Sequence, residues 1–167
     1  SVDGDIENES SSELLLNVTN GTTSDDMTVA VDGELNLGTA TGTVTVDGGS
    51  SGDSRLAVAG DITSGAITLN ESSGTATLTL NGDGNQTVTG TIDAGTGDEG
   101  SITVNNTGAN STTAFNGAIG SSGSSAVSSL TIEQGDTELG ASADFAGDVT
   151  VEQDTLTNKT GNTLTAA

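Results

Sequence analysis

The chain has 167 residues and a formal net charge of −22, from 24 acidic and 2 basic residues, and it contains no cysteine, histidine, tryptophan, tyrosine or proline. Without histidine or cysteine it has no imidazole base, no thiolate nucleophile and no ordinary zinc ligand set, so we do not expect an enzyme. An acidic surface repels phosphate groups, which argues against a nucleic-acid partner. No apolar run approaches the length of a membrane span; the three leucines at 14–16, for example, are far too few.

Acidic residues alternate along the first segment, VDGDIENE (2–9), which places Asp3, Asp5, Glu7 and Glu9 at every second position. Alternating carboxylates are typical of calcium loops, because successive odd positions can curl around one ion. Asp3, Asp5 and Glu7 are therefore the candidate metal ligands, with calcium as the expected ion. The glycine and the closing acid of such a loop are not at their usual positions, so a solvated acidic terminus is the alternative interpretation.

Alternation of aliphatic and polar residues dominates the rest of the chain and predicts short, half-buried β-strands. β-branched residues supply most of these segments, as a pleated surface favours. Gly, Ser, Asn and Asp clusters separate them, and no segment carries helical periodicity. The sequence therefore predicts an all-β protein, with strands at 27–31, 34–37, 43–46, 55–58, 66–69, 75–80, 101–104, 129–132 and 148–151.

Two motifs recur along the chain. An apolar-x-Gly-x-apolar motif centres on glycines 30, 27 and 30 residues apart, at Gly60, Gly90, Gly117 and Gly147. A second motif alternates aliphatic residues with threonine, as in ITLN (67–70), ITVN (102–105), LTIEQGDTEL (130–139) and VTVEQDTL (149–156). Internal similarity at such spacings indicates a repeat architecture. We predict a parallel β-solenoid in which similar residues of successive coils lie over one another, with glycine at the corners.

An antiparallel β-sandwich is the alternative fold. The segment VAVDGELNL (29–37) has the form of a hairpin around an Asp32-Gly33 turn, and Asn20-Gly21, Asp47-Gly48 and Asn81-Gly82 carry similar turn signals. Residues 1–42 fit hairpins better than the repeat. We therefore divide the chain into an N-terminal hairpin-like or capping segment, 1–42, and a β-strand repeat region, 43–167.

The FNGAI (115–119) and FAGDV (145–149) segments, with LTIEQGDTEL between them, resemble bacterial cell-surface β-strand-repeat proteins. These include autotransporter passengers, haemagglutinin-like adhesins, and surface-layer and secreted repeat proteins. The resemblance covers about residues 43–167. It implies secretion, display at the cell surface and a structural or adhesive role within a larger polypeptide or assembly.

Composition and resemblance together lead us to expect an extracellular structural protein, a subunit or segment of a surface layer, filament or matrix. Its expected partners are identical subunits, joined by β-strand stacking or strand exchange, and the segments Leu14–Val18 and NTLTAA (162–167) are candidates for that exchange. The alternative is a repeat segment of a large adhesin that binds glycans or neighbouring cells weakly and multivalently.

Overall fold

The computed structural model describes residues 1–8, 13–21, 24–39, 42–120 and 125–167. No helix occurs in these ranges, and accordingly none of their segments is a long apolar helix able to cross a membrane. The strands are β1 (Ile6–Glu7), β2 (Leu15–Thr19), β3 (Met27–Val31), β4 (Leu35–Asn36), β5 (Thr43–Asp47), β6 (Ser54–Val58), β7 (Ile62–Asn70), β8 (Ala76–Leu80), β9 (Gln86–Ala94), β10 (Glu99–Asn105), β11 (Thr112–Phe115), β12 (Val127–Gln134), β13 (Asp136–Leu139), β14 (Ala143–Asp144), β15 (Val149–Val151), β16 (Leu156–Asn158) and β17 (Leu164–Thr165).

The strands form a parallel β-solenoid of about six turns, as the repeat predicts. Wall 1 is the six-stranded sheet, in the order β3, β6, β8, β10, β12 and β15. The nine-stranded sheet bends into two further walls, because β7 and β9 each run through both of them. Wall 2 contains β1, β4, the first halves of β7 and β9, then β11, β13 and β16; wall 3 contains β2, β5, the second halves of β7 and β9, then Ile119, β14 and β17.

The two near-identical sequence segments lie directly over each other in wall 1. Leu130 pairs with Val149 and Ile132 pairs with Val151. The same offset of 19 residues continues into wall 2, where Thr137 pairs with Leu156. The duplication therefore marks one coil and the next coil of the solenoid, and the central expectation from the sequence is confirmed.

Aliphatic side chains form continuous columns inside the tube, because parallel pairing in constant register places each inward residue over its equivalent. Wall 1 has two such columns, Val29–Leu56–Leu78–Ile102–Leu130–Val149 and Val31–Val58–Leu80–Val104–Ile132–Val151. Wall 2 contributes Ile6–Leu35–Ile62–Val88–Phe115–Leu139. Phe115 is 1% exposed, so the narrow core accommodates an aromatic ring in this column.

The sandwich alternative, with its hairpin at Asp32-Gly33, is wrong. The strands on either side of that turn do not pair with each other: β3 pairs with β6 in wall 1, and β4 pairs with β7 in wall 2. The turn residues are instead a corner between two walls, and all strand pairs of the described residues are parallel. The strands before residue 42 thus belong to the same solenoid, while a capping role for that segment stays a prediction.

The glycines of the repeated five-residue motif lie at three different corners. Gly60 separates β6 from β7 at the first corner, between walls 1 and 2. Gly90 and Gly117 share the second corner, between walls 2 and 3, where a side chain on Gly117 would collide with the Gly90 carbonyl oxygen. Gly147 precedes β15 at the third corner, between walls 3 and 1. The motif therefore does not mark one fixed position in each coil. It occurs at all three corners because neighbouring backbones approach closely there.

Candidate functional site: a polar corner cleft and the coil ends

The predicted calcium ligands lie at the exposed outer side of the first coil. Asp3, Asp5 and Glu7 are all exposed, and an oxygen of Asp5 (Oδ1) accepts a hydrogen bond of 2.7 Å from the Glu34 amide of the next coil. Among the residues that the structure describes, no three acidic side chains are grouped closely enough to hold an ion. Glu9 lies outside the described residues. Calcium binding by Asp3, Asp5 and Glu7 stays a prediction.

The bond made by Asp5 is one example of a general arrangement at the corners. A carboxylate or amide oxygen of one coil accepts the backbone N–H of the next, at 2.7–3.2 Å, in the pairs Asp26–Asp53, Asp53–Thr75, Asp61–Thr87, Asn85–Thr112 and Asp136–Thr155. These bonds satisfy amides where the strand ladders end. Many of the acidic residues therefore hold successive coils together.

Hydrogen bonds favour the charged form of two carboxylates, Asp53 and Glu99. Hydrogen bonds from the Thr75 amide and then the Thr75 hydroxyl lower the pKa of Asp53 and outweigh the effect of burial. Burial raises the pKa of Glu99, but the Thr96 hydroxyl and the Glu71 and Thr96 amides together bring it below the usual value. Both shifts favour the ionised carboxylate, as donors to a carboxylate do in general.

A polar cleft of about 190 Å³ opens at the first corner, towards the C-terminal end of the stack. It arises because the corner is built differently in three successive coils. Six residues (106–111) join β10 to β11 and four residues (152–155) join β15 to β16, whereas Gly135 alone joins β12 to β13. The one-residue turn, with a φ of 93° that favours glycine, is recessed between two longer loops. Residues 108–111, 134–136 and 154 line the resulting cleft.

Two carboxylates from different coils enter this cleft. Asp136 accepts bonds from the Thr155 amide (3.1 Å) and hydroxyl (2.6 Å) through one oxygen, Oδ1. Asp154 accepts a bond of 2.8 Å from the Gly135 amide through Oδ2. Each carboxylate thus fixes the corner with one oxygen, and no lining side chain is cationic.

The connection between β10 and β11 also buries polar side chains at this corner. Ser111 is 4% exposed, and its hydroxyl oxygen has no hydrogen-bond partner among the described residues. In the same β10–β11 connection, Asn106 is fully buried and donates to the Gly84 carbonyl at 2.6 Å and to the Thr113 hydroxyl at 3.4 Å. An unpaired buried hydroxyl costs about 1–3 kcal/mol, so the Ser111 side chain lowers the stability of this corner.

The two end coils expose apolar side chains that belong to inner columns. Val2 is 38% exposed and Val151 is 42% exposed, and both lie in the column that contains Val31. The one ion pair found among the described residues, Lys159–Glu138 at 2.8 Å, joins the last two coils and is half-exposed. The outer edges of β1, β2 and the β15–β17 coil are therefore paired on one side only within the described residues.

The outward surface of wall 1 differs from the rest of this acidic molecule. Its two central outward columns are Thr28–Arg55–Thr77–Ser101–Ser129 and Ala30–Ala57–Thr79–Thr103–Thr131–Thr150. They contain no acidic residue. The Arg55 side chain crosses between them and donates to the Thr79 hydroxyl at 2.8 Å. The surface is therefore rich in hydroxyl groups, and the charged side chain of these two columns is a cation.

The cleft residues were not predicted from the sequence, although one signal was present. The duplicated segments read EQGDT (133–137) and EQDT (152–155), which suggests that the two aspartates are equivalent. The constant offset of 19 instead places Asp154 over Gly135 and Thr155 over Asp136. Asp136 and Asp154 are therefore one register position apart in neighbouring coils, and both lie at the first corner.

Comparison with known proteins gave no match to a family model, to a curated protein or to a solved structure.

Proposed function

We propose that this chain is a structural component of a cell exterior, a subunit or segment of a surface layer, filament or matrix that extends by adding coil upon coil. The observation that carries the proposal is the continuity of one inner column of wall 1. The inner column runs from Val2 through Val31 to Val151, one residue from each coil of wall 1, and both of its end residues, Val2 and Val151, are exposed. A further coil, supplied by another copy or by more of the same polypeptide, would bury these side chains and pair the free strand edges.

Contact between unlike ends is heterologous and does not close on itself, so it generates filaments. Because the chain carries a net charge of −22, two copies repel each other until salt or divalent cations screen them. The extracellular location that we propose fits this requirement and the resemblance to surface repeat proteins.

Electron microscopy of the purified chain at low and high salt tests the proposal. We expect filaments or sheets at high salt. Val151→Asp should abolish them, because a charge would enter the inner column at the joint, whereas Thr150→Asp adds the same charge to the outward face of the same strand and should leave end-to-end growth intact. A chain that stays monomeric at every salt concentration would overturn the proposal.

Strand exchange between subunits is an alternative mechanism for the same assembly. β17 pairs with β14 in its own chain, through Leu164 and Ala143, so exchange requires that pairing to open. Removal of residues 162–167 should then prevent assembly, while assembly that survives the truncation would leave end stacking as the mechanism.

The acid-free outward columns of wall 1 favour adhesion as a second candidate function. A surface of hydroxyl groups without carboxylates suits neutral glycans, which would bind weakly and gain strength through repetition. Retention of a neutral polysaccharide by a monomeric chain, lost in Thr103→Asp but kept in Asp98→Asn, would support this function. Equal retention by both variants would contradict it.

A further inference from the structure

We propose that the last coil of the stack binds the first coil of a second copy of this chain, in the register that the solenoid already follows. The first coil consists of Val2, β1 and β2, and the last consists of β15, β16 and β17. The inference rests on the proposed function and specifies its joint: the partner is an identical chain, unlike ends meet, and Lys159 of one copy lies beside Glu7 of the next.

Inner columns of all three walls run from the first coil to the last. Parallel pairing carries each column through the coils between them. A second copy placed as the next coil, one strand spacing of about 4.8 Å beyond the last, would therefore continue all three columns at once. The end residues that would meet are Val151 and Val2 in wall 1, Asn158 and Ile6 in wall 2, and Leu164 and Leu16 in wall 3.

These end residues are mostly apolar and incompletely covered. Val2 is 38% exposed and Val151 is 42% exposed, whereas Val31 of the same column is 1% exposed, so contact with another coil would bury the two end valines. Asn158 is the one polar residue of the set, and its amide nitrogen already donates to the Asn162 carbonyl at 3.2 Å. The partner must present apolar residues with the same spacing of three walls, which an identical chain does.

A charge contact on the outward side of wall 2 points to the same partner. Lys159 is the only lysine in a chain with 24 acidic residues. It pairs with Glu138 of the preceding coil at 2.8 Å, and its side chain is 50% exposed. A second copy placed as the next coil would bring its Glu7 within one strand spacing of Lys159, on the side opposite Glu138. The outward column that connects these positions passes from Glu7 through Asn36, Thr63, Thr89, Asn116 and Gly140 to Lys159.

Charge also favours contact between unlike ends. Two first coils in contact would bring Asp3, Asp5 and Glu7 of one copy towards the same acidic residues of the other, with no basic side chain in either coil. Contact between unlike ends still sets Glu152 over Asp3 of the second copy. The stack already tolerates such a pair, because Asp32 lies over Asp3 in the same column, and salt screens the repulsion.

A disulfide across the joint tests the register. Asn17 and Thr165 are exposed residues at the two ends of one outward column of wall 3, six strand spacings of about 4.8 Å apart within a chain. The double variant Asn17→Cys, Thr165→Cys therefore cannot form a disulfide within one chain. In filaments grown at high salt under reducing conditions and then oxidised, it should give covalent oligomers on a non-reducing gel. The control Asn17→Cys, Thr150→Cys has its second thiol on wall 1 of the last coil and should give none.

The critical concentration for assembly tests the charge contact. Glu7→Gln removes the proposed partner of Lys159 and should raise the critical concentration by roughly two- to fivefold, the effect of losing an exposed ion pair. Asp83→Asn removes the same charge from an exposed residue between β8 and β9. It should leave the critical concentration unchanged or lower, because it only reduces the general repulsion between copies.

The inference and the proposed function fail in different ways. Filaments that do not form the Asn17–Thr165 cross-link, that cross-link both cysteine pairs equally, or that form as readily in Glu7→Gln as in Asp83→Asn would overturn the inference and leave the proposed function intact. A chain that forms no filaments at any salt concentration would overturn the proposed function, and the joint with it.

Discussion

The inward side chains are small, and their position in a column decides how much each contributes to stability. Val104 and Val151 occupy the same inner column, two coils apart, yet Val104 is fully buried and Val151 is 42% exposed. Burial of an aliphatic side chain stabilises the folded state in proportion to the area removed from water. The two valines therefore provide a matched comparison.

Val104→Ala should lower the free energy of unfolding by roughly 2–3 kcal/mol, because it removes buried methyl groups and leaves a cavity. Val151→Ala should change it by less than about 0.5 kcal/mol, as for other exposed positions. Urea denaturation of the monomeric chain at low salt measures both values. Equal losses would show that the column does not extend through wall 1 as described.

The corner carboxylates contribute a stability that depends on pH. The pKa of Asp53 is lowered in the folded chain by its bonds from Thr75. A carboxylate with a depressed folded pKa contributes stability that is present above its unfolded pKa of about 4 and is lost as the pH falls through the folded value.

Asp53→Asn should therefore destabilise the chain at pH 6, relative to the exposed control Asp83→Asn, which removes the same charge. The difference between the two variants should shrink as the pH falls to 3, and urea denaturation at several pH values would follow it. A difference that is constant over this range would exclude the proposed role of the Asp53 charge.

At the scale of strands, the sequence predicted wall 1 well and wall 2 poorly. Wall 1 strands alternate aliphatic and hydroxyl residues, and β8 and β12 fall where the alternation places them. In wall 2 the inward positions of β11 and β13 include Thr113 and Thr137, both fully buried. Where threonine faces inward, the sequence no longer alternates between apolar and polar residues. The alternation pattern therefore did not predict these two strands.

The turn signals misled for a related physical reason. Asp-Gly and Asn-Gly pairs favour the left-handed backbone of a tight turn, but a solenoid corner needs the same conformations. The local sequence therefore shows where the chain changes direction. It does not show whether the strand after the turn pairs with the strand before it, as in a hairpin, or with a strand of the neighbouring coil, as in a solenoid. The repeat at longer range resolved that choice.

The cleft could not be predicted from the sequence, because it depends on the lengths of the first-corner connections in three successive coils. The aspartates at 136 and 154 are ordinary turn residues in the sequence, and nothing local distinguishes them from Asp98. Only the register, which sets Gly135 between two longer loops, brings them to one cleft.

The buried threonines of wall 2 provide a test at this scale. Thr137 has a hydroxyl oxygen without a partner, whereas the Thr113 hydroxyl accepts a bond from Asn106. Thr137→Val should therefore leave the melting temperature unchanged or raise it, since replacing an unpaired hydroxyl by a methyl group removes a desolvation cost. Thr113→Val should lower it, because the Asn106 amide loses an acceptor. Thermal denaturation compares the two, and the reverse order would contradict the described interior.

At the scale of the whole molecule, the chain is one stack in which nearly every long-range contact joins a coil to its immediate neighbours. Such a molecule gains stability by accumulation of similar interfaces. Its high negative charge opposes compaction, and the coil-to-coil bonds made by the acids offset part of that repulsion. The same design explains why composition alone, with few aromatic and many small residues, was compatible with an ordered fold.

The most direct test of the stack is a disulfide between equivalent positions of neighbouring coils. The chain has no cysteine of its own, and Thr131 and Thr150 are paired outward residues of β12 and β15. Neighbouring strands lie about 4.8 Å apart, within the distance that a disulfide spans. The double variant Thr131→Cys, Thr150→Cys should therefore oxidise to an intramolecular disulfide in the folded monomer. Thr131→Cys combined with Thr157→Cys, on a different wall, should remain reduced, as measured by mass spectrometry. Rapid oxidation of the mismatched pair, or none of the matched pair, would contradict the parallel solenoid.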